Sequence, residues 1–464
     1  MSVSIAIRPS AGRARALRAA LFSTYPPRAC GIATFSFDLR SALLDLPGIA
    51  EVSPVVVVEE PSRAQRPQPL ATVSQAVRSD YVAAAKLLGQ LNVDVVLLEH
   101  EFGIFGGPDG DYVLAFAQGL AQPLVVTLHT ILSQPTRHQR QVLTALCDQA
   151  SRVIVMTDTA RRLLIELGAA TPDKICVVPH GAPIVLGRRA DAQGADRSPP
   201  SVIPAPRRSE RLRSHFLLST FGLLSAGKGL ETAIKALALI VERHPDVLYV
   251  IAGRTHPQVA AREGEQYRTM LERLVVELDL GDHVEFDDRF LSIDELAALL
   301  AVSDVFVTPY RSREQIASGS LTFALAAGCA AVSTPYWYAQ DMLASGAGQT
   351  VPFDDPRALA EAVCAFAGQP DLLTTARREA RRIGSQLAWP SVAKATATVL
   401  HDAVTDAPRR TPPRQATSAR PRFEHEVSRS AATARGQLAL APAVSQASSP
   451  IPIGRELFLF QEGK

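Results

Sequence analysis

Hydrophobic positions along the first part of the chain alternate between two periods. Short apolar runs rich in β-branched residues predict strands, and longer segments with apolar residues three or four positions apart predict helices. The predicted strands are LRAALFST, EVSPVVVV, VDVVLL, LVVTL, RVIVM and KICVVP. Helical patterns lie between them, for example at Ile32 to Leu44, Asp80 to Leu91 and Arg137 to Ala150. This alternation is typical of a parallel sheet with helices on both faces, so residues 17–183 are predicted to form a doubly wound α/β domain.

The alternation stops after Pro183, in a segment rich in Pro and Arg that is predicted to be a linker over residues 184–213. A second series follows, with strands FLLSTFGLL, VLYVIAG, HVEF, DVFVTPY and AAVST. Helices are predicted at Lys228 to Arg243, as one long helix ending at Leu280, at Ile293 to Val302, and from about Ser318. Residues 214–388 are therefore predicted to form a second doubly wound domain. Two Rossmann-like domains joined once face an interdomain cleft, where ligands are expected to bind at the carboxyl ends of the strands.

After about Asp406 the chain is dominated by Ala, Pro, Ser and Arg, so residues 406–464 are predicted to be a largely disordered tail.

Composition and net charge indicate which classes of partner the protein can bind. Hydrophobic residues make up 47% of the chain and charged residues 20%, as in soluble globular proteins. A formal charge of +2 gives no general attraction for polyanions. We therefore expect no nucleic-acid partner and at most peripheral contact with a membrane.

Cysteine usage and the lack of long apolar segments predict a cytoplasmic protein. No run of about 18 apolar residues occurs, and the Arg-containing start of the chain lacks the apolar stretch of a secretion signal. The cysteines are far apart and lie mostly among apolar residues, which fits reduced thiols better than disulfides or a zinc site. They are Cys30, Cys147, Cys176, Cys329 and Cys364.

The segment FGLLSAGKGLE, residues 221–231, combines a strand end, small residues and the start of a helix. Small residues such as Ser225 let a diphosphate approach the backbone. The helix N-terminus adds partial positive charge and Lys228 adds a full one. The alternative interpretation is an ordinary strand-to-helix turn with a solvated lysine. Because the Walker spacing is missing, the segment does not indicate ATP hydrolysis.

A second loop, within residues 305–335, carries Glu314 before Ser318 and Gly319 open an apolar helix. The N–H groups and dipole of this helix can bind an anion, and the carboxylate can accept hydrogen bonds from sugar hydroxyls. Alternatively, Ser318 only caps the helix and Glu314 is a surface charge. A phosphate site and a sugar site in one domain predict a sugar-nucleotide ligand.

These two segments, in this order and in the second of two doubly wound domains, resemble the retaining GT-B glycosyltransferases of family 4, also called group 1 glycosyl transferases. PPRACGIATF, EHEFGIFGG, VVTLHT, VVPHGAP and HVEFDDRFLSIDEL agree with the family, and the resemblance covers about residues 20–400. It implies a GT-B fold and a hexosyltransferase-type enzyme that moves a sugar from a nucleoside diphosphate sugar to a hydroxyl acceptor. It further implies retention of anomeric configuration, with no metal or cofactor. Residues 389–405 resemble the family's closing helix, which returns to the first domain.

The resemblance assigns roles by position. Lys228 matches the lysine that holds the donor diphosphate, and Glu314 matches the first acid of a Glu, seven residues, Glu motif that holds the donor sugar. Gly31 matches the loop near donor and acceptor, and His129 matches a histidine near the donor sugar. Glu314 and His129 are thus the catalytic candidates. The donor-binding candidates are Gly31, Ser225, Lys228, Gly253, Arg254, Ser318, Gly319 and Thr322.

Two positions depart from the family pattern. Gly222 is followed by Leu223, where the family often has Arg, so one positive charge is missing from the phosphate loop. The second Glu of the pair, which binds the nucleotide ribose, falls on Thr322. Both departures leave the identity of the nucleotide open.

The candidates on the acceptor side are His100 and Glu101, which lie after a strand and before a Gly-rich loop. No second His stands at metal-ligand spacing from His100, so no metal site is predicted. The acceptor is expected to be a saccharide or a lipid-linked saccharide. No residue stands out as an enzymic nucleophile, so the chemistry is expected to rest on stabilisation of the charge on the leaving diphosphate and on the sugar. Two other functions stay open: a GT-B sugar-nucleotide epimerase, or a non-catalytic protein that binds a sugar or a nucleotide, which the two departures favour.

Overall fold

The computed structural model describes residues 15–28, 30–59, 68–187, 211–212 and 214–406. The predicted linker lies largely outside these residues, and the predicted tail lies outside them from residue 407 onward. The described residues form two α/β domains, each built on a parallel sheet.

The first domain has a seven-stranded parallel sheet in the order β3-β2-β1-β4-β5-β6-β7. Its strands are β1 Leu17–Ser23, β2 Ile49–Val58, β3 Ala71–Ser74, β4 Val95–His100, β5 Leu124–Leu128, β6 Arg152–Val155 and β7 Ile175–Val177. Helices Gly31–Leu44, Arg78–Leu88, Tyr112–Gly119, Arg137–Gln149 and Asp158–Glu166 connect them. The strand order reverses between β1 and β4, which opens a crevice at their carboxyl ends.

The second domain repeats this plan with six parallel strands in the order β10-β9-β8-β11-β12-β13. They are β8 Phe216–Phe221, β9 Val247–Ala252, β10 Val284–Asp287, β11 Val305–Thr308, β12 Ala330–Ser333 and β13 Gly348–Thr350. The helices are Leu230–Val241, Pro257–Glu263, Gln266–Glu277, Ile293–Val302, Gly319–Ala326, Trp337–Leu343, Pro356–Gly368 and Pro370–Leu387. Here the order reverses between β8 and β11, the strands that precede the two loops singled out from the sequence.

Strand β4 shows why the apolar runs become central strands. Its six residues are all buried. Val95 and Leu97 belong to one hydrophobic core, whereas Val96 and Leu98 belong to the core on the other side of the sheet. Because successive side chains point to opposite faces, a strand covered on both faces needs an unbroken apolar run.

The last described helix, Trp389–Asp406, returns to the first domain and packs against the helix Gly31–Leu44. At the crossing, the Ala182 N–H donates to the Leu387 carbonyl at 2.7 Å, and the Trp389 N–H donates to the Ala182 carbonyl at 2.9 Å. A Cβ on Gly181 would lie 2.1 Å from the Trp389 ring, so the two chain segments touch. The domains are therefore connected at two adjacent points.

Several elements differ from the sequence-based predictions or were not among them, including the helices Trp337–Leu343, Pro356–Gly368 and Pro370–Leu387, which follow the last predicted strand. The long helix predicted to end at Leu280 is wrong: two helices, Pro257–Glu263 and Gln266–Glu277, stand in its place. Gly264, with φ of +61°, ends the first of them, because a left-handed residue interrupts the helical path. The strands β3 and β13 were not predicted, since each is only three or four residues long and neither is an apolar run.

Candidate active site

The loop predicted to bind phosphate, residues 222–229 (the phosphate loop), connects β8 to the helix Leu230–Val241 through a 3-10 turn at Ala226–Lys228. Gly229 follows with φ of +59°, and a Cβ there would lie 2.2 Å from the Pro309 carbonyl oxygen. Only a glycine lets this loop lie so close to the end of β11. The Arg311 N–H also donates to the Gly227 carbonyl at 3.0 Å. The two loops predicted to bind phosphate and sugar are thus held side by side.

Lys228 lies between these loops, with 7% of the residue exposed. Its Nζ is 4.1 Å from the centre of the Tyr310 ring, a cation–π contact. Burial, together with the charge of Lys228, lowers the pKa of the neighbouring His256. The lysine is therefore a fixed, largely desolvated positive charge at a helix N-terminus, the place where backbone N–H groups also favour an anion.

Gly253 and Arg254 follow β9 and lie beside the phosphate loop. The Leu224 N–H donates to the Arg254 carbonyl at 2.8 Å. Gly253 has φ of +136°, and a Cβ there would lie 2.0 Å from the Gly222 carbonyl oxygen. The Arg268 guanidinium donates to the Gly253 carbonyl, while the side chain of Arg254 is exposed. Gly253 therefore supports the loop through its backbone.

Gly253→Ala is expected to lower the free energy of unfolding by about 2 kcal/mol or more, because the strained φ and the close carbonyl act together. Gly222→Ala is the matched variant, since its φ is +139° but no atom lies within 4 Å of its Cβ position. Gly281→Ala, with open space and no positive φ, is the control. Urea unfolding should rank the losses in this order, and equal losses at Gly253 and Gly281 would contradict the packing argument.

Glu314 reaches across the cleft to the first domain. Its Oε1 accepts hydrogen bonds from the Ser133 N–H, at 3.0 Å, and from the Ser133 hydroxyl. Ser133 lies in the loop that begins at His129, after β5. The carboxylate thus already accepts a hydroxyl hydrogen bond in this state, which is the interaction predicted for it with a donor sugar.

The helix Gly319–Ala326 begins after Ser318, whose hydroxyl oxygen accepts from the Leu321 N–H at 3.4 Å. Ser318 is therefore an N-cap, and Ser318 and Gly319 are both buried. Thr322 is also fully buried: its hydroxyl donates to the Ser318 carbonyl at 2.7 Å and lies 2.5 Å from the Tyr338 hydroxyl. A ribose contact would have to replace one of these partners, so the donor role of Thr322 stays a prediction.

His129 is held by groups of the first domain. Its Nε2 lies 2.8 Å from Oε2 of Glu99, a carboxylate with no exposed surface. The Phe35 ring, 4.8 Å away between centroids, packs edge-on against the imidazole. Phe35 belongs to the helix that begins at Gly31, and Cys30 caps that helix. Gly31 is thus buried at the start of the helix that packs against His129.

His100 and Glu101 occupy different surroundings. His100 is fully buried between the rings of Phe102 and Phe105, at centroid distances of 5.0 and 5.9 Å, and this burial lowers its pKa to about 3. The ring is therefore neutral and exposes no atom to an acceptor unless the loop moves. Glu101 accepts hydrogen bonds from the Thr130 hydroxyl and, at 2.9 Å, from the Phe102 N–H, and burial raises its pKa. The acceptor roles of both residues stay predictions.

The domains also contact each other beside the Glu314 loop. Asp341, in the helix Trp337–Leu343, accepts from the Thr159 N–H at 2.9 Å and from the Thr159 hydroxyl at 2.8 Å. Ile316 packs into a hydrophobic core of the first domain. Asp341 and Ile316 thus join the two domains on elements beside Glu314.

Sequence profiles match both domains. The profile described as Glycosyl transferases group 1 matches residues 207–383, and the one described as Glycosyltransferase Family 4 matches residues 45–185. The chain belongs to the group 1 glycosyltransferase family. This confirms the resemblance found in the sequence.

Similar proteins include D-inositol 3-phosphate glycosyltransferases of two bacteria. The protein of Streptomyces griseus subsp. griseus is 27% identical over 285 residues, which are 58% of this chain and 57% of that protein. The protein of Kineococcus radiotolerans is 27% identical over 270 residues, 56% of this chain and 59% of that protein. This chain therefore matches a little over half the length of these two relatives.

Solved structures confirm the predicted GT-B fold. Anabaena Alr3699/HepE in complex with UDP has a TM-score of 0.63 and 16% identity, covering 83% of this chain and 100% of that one. Sucrose-phosphate synthase from Thermosynechococcus elongatus has a TM-score of 0.65 and 18% identity, covering 84% and 100%. At such low sequence identities, the similarity shows the fold alone.

Over the described ranges, none of the helices has the length and apolarity needed to cross a bilayer.

Proposed function

We propose that this protein transfers a sugar from a nucleoside diphosphate sugar to a hydroxyl acceptor, with retention of anomeric configuration. The observation that carries the proposal is the pairing of the Lys228 and Glu314 loops at the strand reversal between β8 and β11. A desolvated cation suits a diphosphate, and a carboxylate that accepts a hydroxyl hydrogen bond suits a sugar. Open α/β sheets bind ligands at such a reversal.

The arrangement supports catalysis by charge stabilisation. In the transfer, the bond from the anomeric carbon to the diphosphate breaks and a bond to the acceptor oxygen forms, while the acceptor proton goes to the leaving group. Lys228 and the helix N-terminus beside it would stabilise the charge that develops on the diphosphate. Glu314 and His129 would hold the sugar, and contact between the domains would exclude water. The proposed enzyme is of the hexosyltransferase type and needs no metal or cofactor for these steps.

The names of similar proteins support the substrate classes. Anabaena Alr3699/HepE has been crystallised with UDP and with UDP-glucose, which supports a nucleotide-sugar donor. The curated relatives are named for D-inositol 3-phosphate, a polyhydroxyl compound, which supports a hydroxyl acceptor. Saccharide and lipid-linked saccharide acceptors remain part of the proposal.

The test has two stages. The protein is first screened for thermal stabilisation by UDP, GDP, ADP and their sugars, because a ligand that binds the folded state raises the melting temperature. The donor that binds is then incubated with and without candidate acceptors, and the anomeric configuration of the product is read by NMR. We expect turnover that depends on the acceptor. We also expect an α-linked donor to give an α-linked product. Donor conversion without acceptor would indicate the epimerase, and binding without turnover would indicate the binding protein.

A further inference from the structure

A buried carboxylate at the end of β4 lies next to the candidate catalytic histidine. In the parallel pairing of β4 with β5, Glu99 is opposite Thr127. Side chains two positions apart share a face of a sheet, and His129, two residues after Thr127, does lie on the same face as Glu99. His100 points to the other face, among Phe102 and Phe105. The side chain of Glu99 therefore contacts the imidazole of His129, whereas His100 meets His129 through its backbone carbonyl.

The contact determines where the imidazole carries hydrogen. A carboxylate accepts hydrogen bonds, so the 2.8 Å contact with Oε2 of Glu99 requires a hydrogen on Nε2 of His129. This holds for the neutral ring and for the protonated ring. In the neutral ring, Nδ1 is then the hydrogen-bond acceptor. Nδ1 makes no hydrogen bond within the described residues.

The ring is fixed in orientation as well as in tautomer. Phe35 packs edge-on against it, and the His129 N–H donates to the His100 carbonyl at 3.0 Å. The side chain keeps 6% of its surface exposed, whereas that of Glu99 keeps none. A ligand can therefore reach the exposed part of the His129 imidazole.

Glu99 also makes few hydrogen bonds for a buried carboxylate. Its Oε1 has no hydrogen-bond partner among the described residues, and Oε2 has His129. A buried carboxylate with so few donors costs folding free energy, which an apolar residue at this position would avoid. Groups that are retained at such a cost are expected at functional sites.

We propose that Glu99 is a positioning residue for the transfer reaction: it holds His129 with hydrogen on Nε2, so that Nδ1 accepts a hydrogen bond from a hydroxyl of the bound sugar. The inference rests on the proposed function, because it assigns a partner to the same site. It gives the histidine a directional role, since the site then favours sugars that offer a hydroxyl to Nδ1.

The first experiment reads the tautomer without any turnover. Ring nitrogen-15 shifts of His129 are measured in the full chain, with the resonance assigned by its loss in His129→Gln. The wild type is expected to show Nε2 protonated and Nδ1 unprotonated. In Glu99→Leu the acceptor is gone, and the two nitrogens should move toward averaged shifts. Nδ1-protonated shifts in the wild type, or unchanged shifts in Glu99→Leu, would overturn the proposal.

The second experiment reads the reaction. Glu99→Leu is expected to lower the transfer rate about tenfold or more while nucleotide affinity stays within about twofold, because an orienting residue acts on the transition state. Glu99→Gln keeps an acceptor oxygen and should retain the rate within about threefold. Equal loss in both variants, with ring shifts that still show hydrogen on Nε2 in Glu99→Gln, would show that charge, not position, matters and would overturn the proposal.

The matched control is Asp304→Asn, which alters another buried carboxylate, in the second domain, that accepts from the Leu217 N–H and from Arg377. It should lower stability without changing the His129 shifts.

If Glu99→Leu fails to fold, Glu99→Gln tests the proposal in its place. Loss of the Nε2-protonated shifts in Glu99→Gln together with an unchanged transfer rate would overturn the assignment. A wild type that binds nucleotide but transfers no sugar would contradict the proposed function, while the ring shifts still test the tautomer.

Discussion

Glu314→Gln is expected to reduce the transfer rate at least about tenfold, which corresponds to a loss near 1.4 kcal/mol of transition-state stabilisation. The charged oxygen that now accepts from Ser133 is the group placed to accept from sugar hydroxyls. The amide keeps a carbonyl acceptor but loses the charge, and hydrogen bonds to charged groups are the stronger ones. Steady-state rates with a fixed donor and acceptor give the measurement.

The control for this prediction is Thr322→Ala. The Thr322 hydroxyl already bonds to the Ser318 carbonyl and to Tyr338, so its loss should change donor affinity by no more than about 1 kcal/mol. A wild-type transfer rate in Glu314→Gln would remove the loop from the active site and favour the binding-protein alternative.

Lys228→Ala should weaken donor binding by about 1.5–3 kcal/mol, the usual scale for a hydrogen bond to a charged group. The ammonium is largely desolvated against Tyr310, so its attraction for a diphosphate is little screened by solvent. Calorimetric titration with the nucleotide that stabilises the wild type gives the affinity. Lys235→Ala, an exposed lysine on the following helix, is the matched control and should leave the affinity unchanged.

A second measurement tests the position of the Lys228 charge in the absence of any ligand. The charge of Lys228 contributes to the lowered pKa of His256, behind burial. In Lys228→Ala this pKa should therefore rise toward its ordinary value while remaining below it, which proton NMR can follow without any ligand. Unchanged nucleotide affinity together with a raised His256 pKa would show that the lysine lies where the structure places it but does not bind the donor.

Much of the fold could be predicted from the sequence alone. Runs such as VVLL (residues 95–98) and VLYVIA (residues 247–252) are apolar without interruption, and only a strand buried on both faces needs such a run. Strands of this kind alternating with helices specify two parallel α/β domains and place their loops at the carboxyl ends. Lys228 and Glu314 could be found in the same way, because each lies directly between a strand end and a helix start.

The contacts that connect these residues could not be found in this way. Glu314 meets Ser133 across 181 positions of sequence, and Glu99 meets His129 across 30. Local period and propensity carry no information on such distances; strand register and the packing of one domain on the other decide them. Strand alternation turns the side chain of His100 away from the imidazole of His129 and brings the side chain of Glu99 to it, so a residue that was not among the sequence-based candidates makes the contact.

What the sequence by itself determined is therefore most of the strands and helices, the two parallel sheets that they build and the residue types at the strand ends. The tertiary structure decided which ends face each other, because burial and hydrogen bonding between distant segments are settled only when the whole chain packs. It also decided that Thr322 turns its hydroxyl to Tyr338, and that Gly264, in a left-handed conformation, divides a segment whose period alone predicted one helix.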